Sequence, residues 1–187
     1  MTDTTRAWLR TLRALTGTPP PVEEPLPDDP VALFLGWLEV AVAAGVPEPH
    51  VMTLATVDAD GVPDARALIL KDVDERGWAF STTASSRKGA QLSAAPEAAL
   101  AFWWQPQARA VRVRGPVVQA TREESEADLH ARSPAAQASV APGDWTLWRV
   151  RPTRVEFWQG APDRNHLRIV YLRSGDGWSL ARSFTVG

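Results

Sequence analysis

Of the 20 basic residues in this chain 18 are arginine, and the only lysines, Lys71 and Lys88, fall within one window of 18 residues. Lysine offers a compact ammonium where arginine offers a planar fork, so two retained lysines mark positions suited to a point charge. Arg66 and Lys71 share the run RALILK, while Ser85, Ser86, Arg87 and Lys88 open a helical segment. A helix start carries free N–H groups and the positive end of the dipole. Hydroxyls and cations beside it form a phosphate cradle without a Gly-rich loop. Taken alone, SSRK equally suits a solvated first turn. On a strand, Arg66, Leu68 and Leu70 share one face and Lys71 lies on the other beside Ala67 and Ile69, so the two cations need not meet one group. A second constellation is GAPDRNHLR, in which Arg164, His166 and Arg168 alternate behind Phe157 and Trp158. On a strand these three face one way, toward an anion, a carbonyl-rich ligand or solvent. With no cysteine and three scattered histidines, thiolate chemistry, disulfides and a metal site are not expected, so redox work needs a borrowed cofactor.

The elements that must hold these residues are short. Trp8, Leu9, Leu12 and Leu15 recur at helical spacing, and the run TGTPPPVEEPLPDDP then ends any helix. Residues 1–29 therefore read as an arm plus Pro-rich linker ahead of a domain spanning 30–187. Asp29 and Pro30 suit the N-cap and first turn of a helix carrying Val31, Phe34, Leu35, Leu38 and Val42 on one stripe, ending near Gly45. From Val51 the period shifts toward two. MTLATV, a DADG turn, ARALILK, a DERG turn and WAFST predict three successive antiparallel strands. Ser85 or Ser86 caps a helix through Leu92, and AALAFWW and AVRVRGPVVQA continue the sheet. Thr121 with Glu124 is a capping box opening a polar helix to about Arg132. The small-residue stretch AAQASVAPGD leads to WTLWRVRPTRVEFW, LRIVYLR, an SGDG turn and WSLAR. Many short strands and few helices predict a mainly β chain, an antiparallel barrel with peripheral helices.

A chain of 187 residues with 44% hydrophobic and 22% charged residues suits one globular domain. Its 20 basic and 22 acidic side chains nearly cancel, which argues against a nucleic-acid partner. No apolar run approaches a membrane span and the start is unlike a signal peptide, so a cytoplasmic protein is expected.

RALILK, FSTTASSRKGAQL, AVRVRGPV and VEFWQG followed by RNHLR resemble, in order, the motifs of the pyridoxine (pyridoxamine) 5'-phosphate oxidase family of FMN-binding split barrels. The related flavin oxidases of phenazine biosynthesis share them. The resemblance covers about residues 29–182. It implies a split β-barrel, a homodimer with FMN at the subunit interface, and hydride transfer from a small-molecule substrate to flavin and then to O2, giving H2O2. It further implies FMN contacts from Arg66, Ala67, Leu68, Ile69, Leu70, Lys71, Ser81, Thr82, Arg87 and Lys88, completed by Trp158 and Arg168. Lys71, Asp128, Arg132, Arg164 and His166 match substrate-contacting positions, with Arg164 and His166 nearest the chemistry.

Several positions depart from the family pattern. Ala110 replaces a glutamine that meets the flavin. Asp128 stands at a tyrosine position and Ala136 at a serine position of the substrate's phosphate pocket. The stretch between Gln137 and Trp145 is shorter and lacks a flavin-contacting Gln-Ser pair, and ARSFTVG replaces the usual close. The expected activity is accordingly an FMN-dependent oxidase whose substrate diverges from pyridoxamine phosphate. A dihydroaromatic, phenazine-like substrate and a non-catalytic FMN-binding role are the alternatives.

Overall fold

A computed structural model of the chain describes residues 3–186; positions 1, 2 and 187, which fall within the expected arm and domain, lie outside the described residues. β1 (Val51–Val57) and β2 (Pro63–Ile69) form the first hairpin. Asp58 Oδ1 accepts from the N–H groups of Asp60 and Val62 and so holds its turn. A three-residue strand β3 (Asp72–Asp74), which alternation alone does not separate from its neighbour, turns into β4 (Gly77–Thr83). β5 (Glu97–Trp104), β6 (Arg109–Gln119), β7 (Trp145–Val150), β8 (Arg154–Gln159), β9 (Asn165–Ser174) and β10 (Gly177–Val186) complete an all-antiparallel sheet.

β6 belongs to two ribbons. Arg109–Arg114 pair with β8 and, together with Gly115 and Pro116, with β5, whereas Val117–Gln119 pair with β7. The switch falls at Gly115, where a Cβ would stand 2.2 Å from the Arg151 carbonyl oxygen, so only glycine lets the β7–β8 connection cross so closely. The result is a split, curled sheet with the order β10-β9-β8-β6-β5-β1-β2 on one side and β3, β4 and β7 on the other.

Alternation sends Met52, Leu54, Leu100, Phe102, Val111, Val113, Val155, Phe157, Ile169 and Tyr171 inward, where all are buried. α2 (Pro30–Ala43) closes this core. Asp29 Oδ1 accepts from Val31 N at 2.9 Å as its N-cap, and Phe34 reaches Phe102 and Trp78 at centroid distances of 4.9 and 5.6 Å.

The proline-rich segment is a strap packed on the barrel, not a free tether. Buried Arg109 donates through Nε to Gln159 Oε1 at 2.7 Å and through Nη2 to the carbonyls of Pro20 and Pro21, with its guanidinium 3.9 Å over the Trp37 ring. Burial pushes its pKa down to about 10. The Tyr171 hydroxyl donates to the Pro27 carbonyl, and Val22 and Leu26 pack against the core. Arg109→Met is expected to lose about 3 kcal/mol, since charge-assisted bonds vanish and their acceptors stay buried. Urea unfolding should show the loss and limited proteolysis should find new cleavage within residues 16–29; an unchanged midpoint would contradict the clamp.

The helices differ in detail from the sequence expectation. α1 (Asp3–Thr11) ends before Leu12 and Leu15, because the chain must turn into the prolines and Leu15 adopts φ +50°. α3 (Arg87–Ala94) runs two residues beyond Leu92. α4 (Arg122–His130) has the predicted capping box but stops short of Arg132. Just ahead of the small-residue stretch Ser133 and Pro134 start a further short helix that runs into it, α5 (Pro134–Ala138). Among the described residues no helix is long and apolar enough to cross a membrane.

Candidate active site

The end of β2, β4 and the start of α3 enclose a cleft of about 400 Å³, lined by Ala67, Leu68, Ile69, Lys71, Ser81, Thr82, Thr83, Lys88, Arg132 and Trp145. Its size is that of a small-molecule site. β2 stops at Ile69, but Lys71 still reaches the cleft beside Ala67 and Ile69, as alternation expects, because its N–H joins Ala79 of β4 at 2.8 Å. Leu70 packs against the core instead.

α3 is set tightly against β4. Ser86 Oγ accepts from Gly89 N at 3.2 Å and donates to the Thr83 carbonyl, and a Cβ on Gly89 would lie 2.5 Å from the Ala84 carbonyl oxygen. Glycine is thus required for the helix start to meet the cleft. Ser85 is committed elsewhere, since its N–H and Oγ both donate to Asp144 and hold that carboxyl below the usual range.

Arg66 and Arg87 converge on Asp64 Oδ2 at 2.8 and 3.4 Å, although the Arg87 side chain remains 75% exposed. Arg66 also donates to Thr56 Oγ1 at 2.6 Å and Gln91 Oε1 at 3.0 Å, and Thr56 and Gln91 are themselves buried and mutually bonded. Burial works to raise the Asp64 pKa, but the Gln91 hydrogen bond and the charges of Arg66 and Arg87 prevail and hold it below the ordinary value. Lys88 is different. Half-buried beside Arg66, it forms no ion pair among the described residues, and burial first, then the Arg66 charge, depresses its pKa. A desolvated cation without a counter-ion is a site for an incoming anion.

Arg132 lies past the end of α4 with its guanidinium 4.3 Å over the Trp145 ring. Asp128 accepts from Ser81 Oγ at 2.6 Å and from Trp145 Nε1 at 2.8 Å. Ala136 lies in α5, where its N–H donates to the capping Ser133 Oγ.

The remaining candidates sit on β8 and β9. These strands are separated from β2 by β6, β5 and β1, so β8 stands four strand spacings away, about 19 Å along the sheet. Trp158 pairs with Arg168 across the ladder and packs its ring 4.9 Å from His166. His166 is buried and its Nδ1 accepts from the Ala161 N–H at 3.0 Å. A backbone N–H can only donate, so the neutral ring carries its proton on Nε2 and offers a donor there. A ring-nitrogen NMR correlation should find the Nε2–H tautomer; an Nδ1–H signal would contradict the geometry. Arg168 bonds Glu156, which also holds Arg112 and Arg154. Arg164 does not share their strand face. It precedes β9 at φ +66° and is exposed, because the chain turns through Ala161–Arg164 before the strand begins.

Residues 38–159 match the family described as pyridoxamine 5'-phosphate oxidase, and residues 145–183 match the C-terminal dimerisation region of pyridoxine 5'-phosphate oxidase. A pyridoxine/pyridoxamine 5'-phosphate oxidase from Thermosynechococcus vestitus is 41% identical over 87% of this chain and 92% of its own. The chain belongs to the pyridoxamine 5'-phosphate oxidase family. Another such oxidase, from Bordetella petrii, is 42% identical over 86% of this chain and 91% of its own. Among solved structures, PhzG from Burkholderia lata 383 in complex with tetrahydrophenazine-1-carboxylic acid aligns with a TM-score of 0.83 at 25% identity, covering 90% of this chain and all of that one. A related FMN-binding protein from Nostoc punctiforme, at TM-score 0.63 and 18% identity, shares the fold.

As a member of the pyridoxamine 5'-phosphate oxidase family the chain is an FMN-dependent oxidoreductase with a split-barrel fold. Its cleft fits that cofactor's anionic end, given the Lys88 ammonium, which makes no ion pair among the described residues, and the Arg66 charge beside it. Four polar residues of this family member escape the sequence pattern. Asp64 was readable in principle, lying two residues before Arg66 on the same strand face. Gln91 and Glu156 stand within the motifs FSTTASSRKGAQL and VEFWQG without being singled out there, and Thr56 gave no local signal, since each is recognised only by the arginines that fold against it.

Proposed function

We propose that this protein is a cytoplasmic FMN-dependent oxidase that works as a homodimer on a small molecule. The observation that carries the reading is Lys88, a half-buried cation with no counter-ion at the helix start of a cleft of ligand size. FMN held there would supply two-electron redox chemistry, the substrate giving up two electrons and two protons that end on O2 as H2O2. Lys88 and Arg66 hold the cofactor phosphate, with Arg87 at the outer rim. Ser81, Thr82 and the strand from Arg66 to Lys71 flank its chain and ring edge. Lys71 and Arg132 face the substrate. Arg164, His166, Trp158 and Arg168 serve the site of the partner subunit, with His166 Nε2–H as a positioning donor and Arg164 holding the substrate beside it.

The half-sites on β2 and on β8–β9 lie on strands separated by β6, β5 and β1 in the sheet order, and two-fold pairing would bring such half-sites together across an interface. The outer face between them sets small residues, Ala55, Ala65, Ala67, Ala99, Ala101 and Ala110, beside Arg112, Arg114 and a Trp103 that is 51% exposed, a mixture of small, aromatic and arginine side chains that suits an interface. Light scattering should give twice the 20.4 kDa chain mass; a monomer that retains FMN would overturn the shared site.

The activity itself is tested by anaerobic mixing of the FMN-loaded protein with pyridoxamine, its phosphate and dihydroaromatic acids. Bleaching of the flavin absorbance, reversed by O2 with H2O2 release, is the expected result. A yellow protein that none of these reduces would favour a binding role. The likeness to PhzG supports the dihydroaromatic acids as the second substrate class.

A further inference from the structure

The neutral donors at one end of the cleft are already engaged. Ser81 Oγ donates to Asp128 Oδ2 at 2.6 Å and Trp145 Nε1 donates to the same oxygen at 2.8 Å. Both donors line the cleft, so Asp128, half-buried on α4, sets a carboxylate against its wall. Asp128 Oδ1 has no hydrogen-bond partner among the described residues. Arg132 does not neutralise this group, for its guanidinium stacks on Trp145 and makes no ion pair with Asp128. A phosphate ester seeks several donors and no neighbouring anion. Here it meets, besides the Arg132 guanidinium, a hydroxyl and an indole whose hydrogens are taken and a carboxylate that opposes the Arg132 charge. A hydroxyl or ammonium group meets a favourable charge, carried by a carboxylate that still has one oxygen without a partner among the described residues.

We propose that Asp128 is the specificity determinant of this cleft, selecting a substrate whose far end carries a hydrogen-bond donor, a hydroxyl or an ammonium, and excluding a phosphate ester there. The inference rests on the oxidase reading above for what occupies the cleft. Asp128→Asn isolates it. Both existing bonds fall on Oδ2, so the single carbonyl oxygen of asparagine keeps them while its NH2 replaces the open acceptor with donors.

FMN-loaded protein is titrated with pyridoxamine and with pyridoxamine 5'-phosphate, binding being read as perturbation of the flavin spectrum. The natural protein is expected to bind pyridoxamine at least about tenfold more tightly than its phosphate, and Asp128→Asn to move that ratio about tenfold toward the phosphate. Tighter binding of the phosphate by the natural protein, or an unchanged ratio in the variant, would overturn the proposal. A second arm follows the Trp145 indole N–H by NMR during titration with inorganic phosphate, with and without FMN. The signal should stay put in the natural protein and move in Asp128→Asn; movement in the natural protein at the same concentrations sinks the idea. If FMN fails to bind while this arm behaves as expected, the oxidase reading falls and phosphate exclusion by Asp128 stands.

Discussion

Lys88→Ala is expected to weaken FMN binding by about tenfold to a hundredfold, because a charge-assisted bond to phosphate contributes roughly 1.5–3 kcal/mol. Riboflavin, which lacks the phosphate, should bind the natural protein weakly and lose almost nothing on the same substitution. The structure also orders the cations. Arg87 is 75% exposed and already paired with Asp64, so Arg87→Ala should cost about threefold or less, as exposed ion pairs do. Lys88 makes no ion pair among the described residues, and burial together with the neighbouring Arg66 charge depresses its pKa. Fluorescence quenching of FMN and riboflavin against the two variants measures both differences. Equal losses for the two ligands, or a larger effect at Arg87, would remove Lys88 from the phosphate site.

Glu156→Ala should be the most damaging change on the outer sheet face. Glu156 is 4% exposed and bonds Arg112, Arg154 and Arg168 from three adjacent strands. Without it three guanidinium groups repel one another across neighbouring ladders. Because those arginines keep part of their solvent contact, the expected loss is about 2 kcal/mol, less than for a fully enclosed pair, or about 4–8 °C in Tm. Burial works to raise the Glu156 pKa, but the bonds from Arg154 and Arg112 and the charges of Arg112 and Arg168 hold it below its ordinary value of 4.5. A depressed carboxyl stabilises the fold above its unfolded pKa, and that contribution is lost as pH falls through the folded value. The natural protein and Glu156→Ala should therefore differ most above about pH 4.5 and converge in acid, as followed by calorimetry. Arg168 loses its anchor in the variant, so FMN binding should weaken as well. Parallel stability curves at every pH would show that the charge of Glu156 is not what holds the three strands.

Most of the fold was legible because its signals are local. Alternation in MTLATV, AALAFWW and VEFWQG fixes which side chains enter the barrel, and Asp29-Pro30 and Thr121 with Glu124 mark helix starts through bonds that span at most three residues. The helix start at the cleft was legible for the same reason: Ser86, Lys88 and Gly89 belong to one capped first turn, and the contacts of Ser86 and Gly89 with Thr83 and Ala84 are short-range.

What the tertiary structure alone decided is where charge ends up. Arg66, Arg87 and Lys88 look alike along the chain, yet packing gives the first two a carboxylate and leaves the third without one. Arg164, His166 and Arg168 alternate in sequence, but a positive φ at Arg164 takes it out of the strand, while Glu156 claims Arg168. The proline run reads as a linker until Arg109 and Tyr171, far along the chain, bind its carbonyls. Residue type and spacing by themselves indicated a mainly β antiparallel chain with peripheral helices, a capped helix start after β4 and, with no cysteine, no thiol chemistry, because backbone periodicity and capping act over a few residues. Pairing between charges is a contest among groups brought together from distant segments, so which cations remain open for a ligand was settled only when the strands closed.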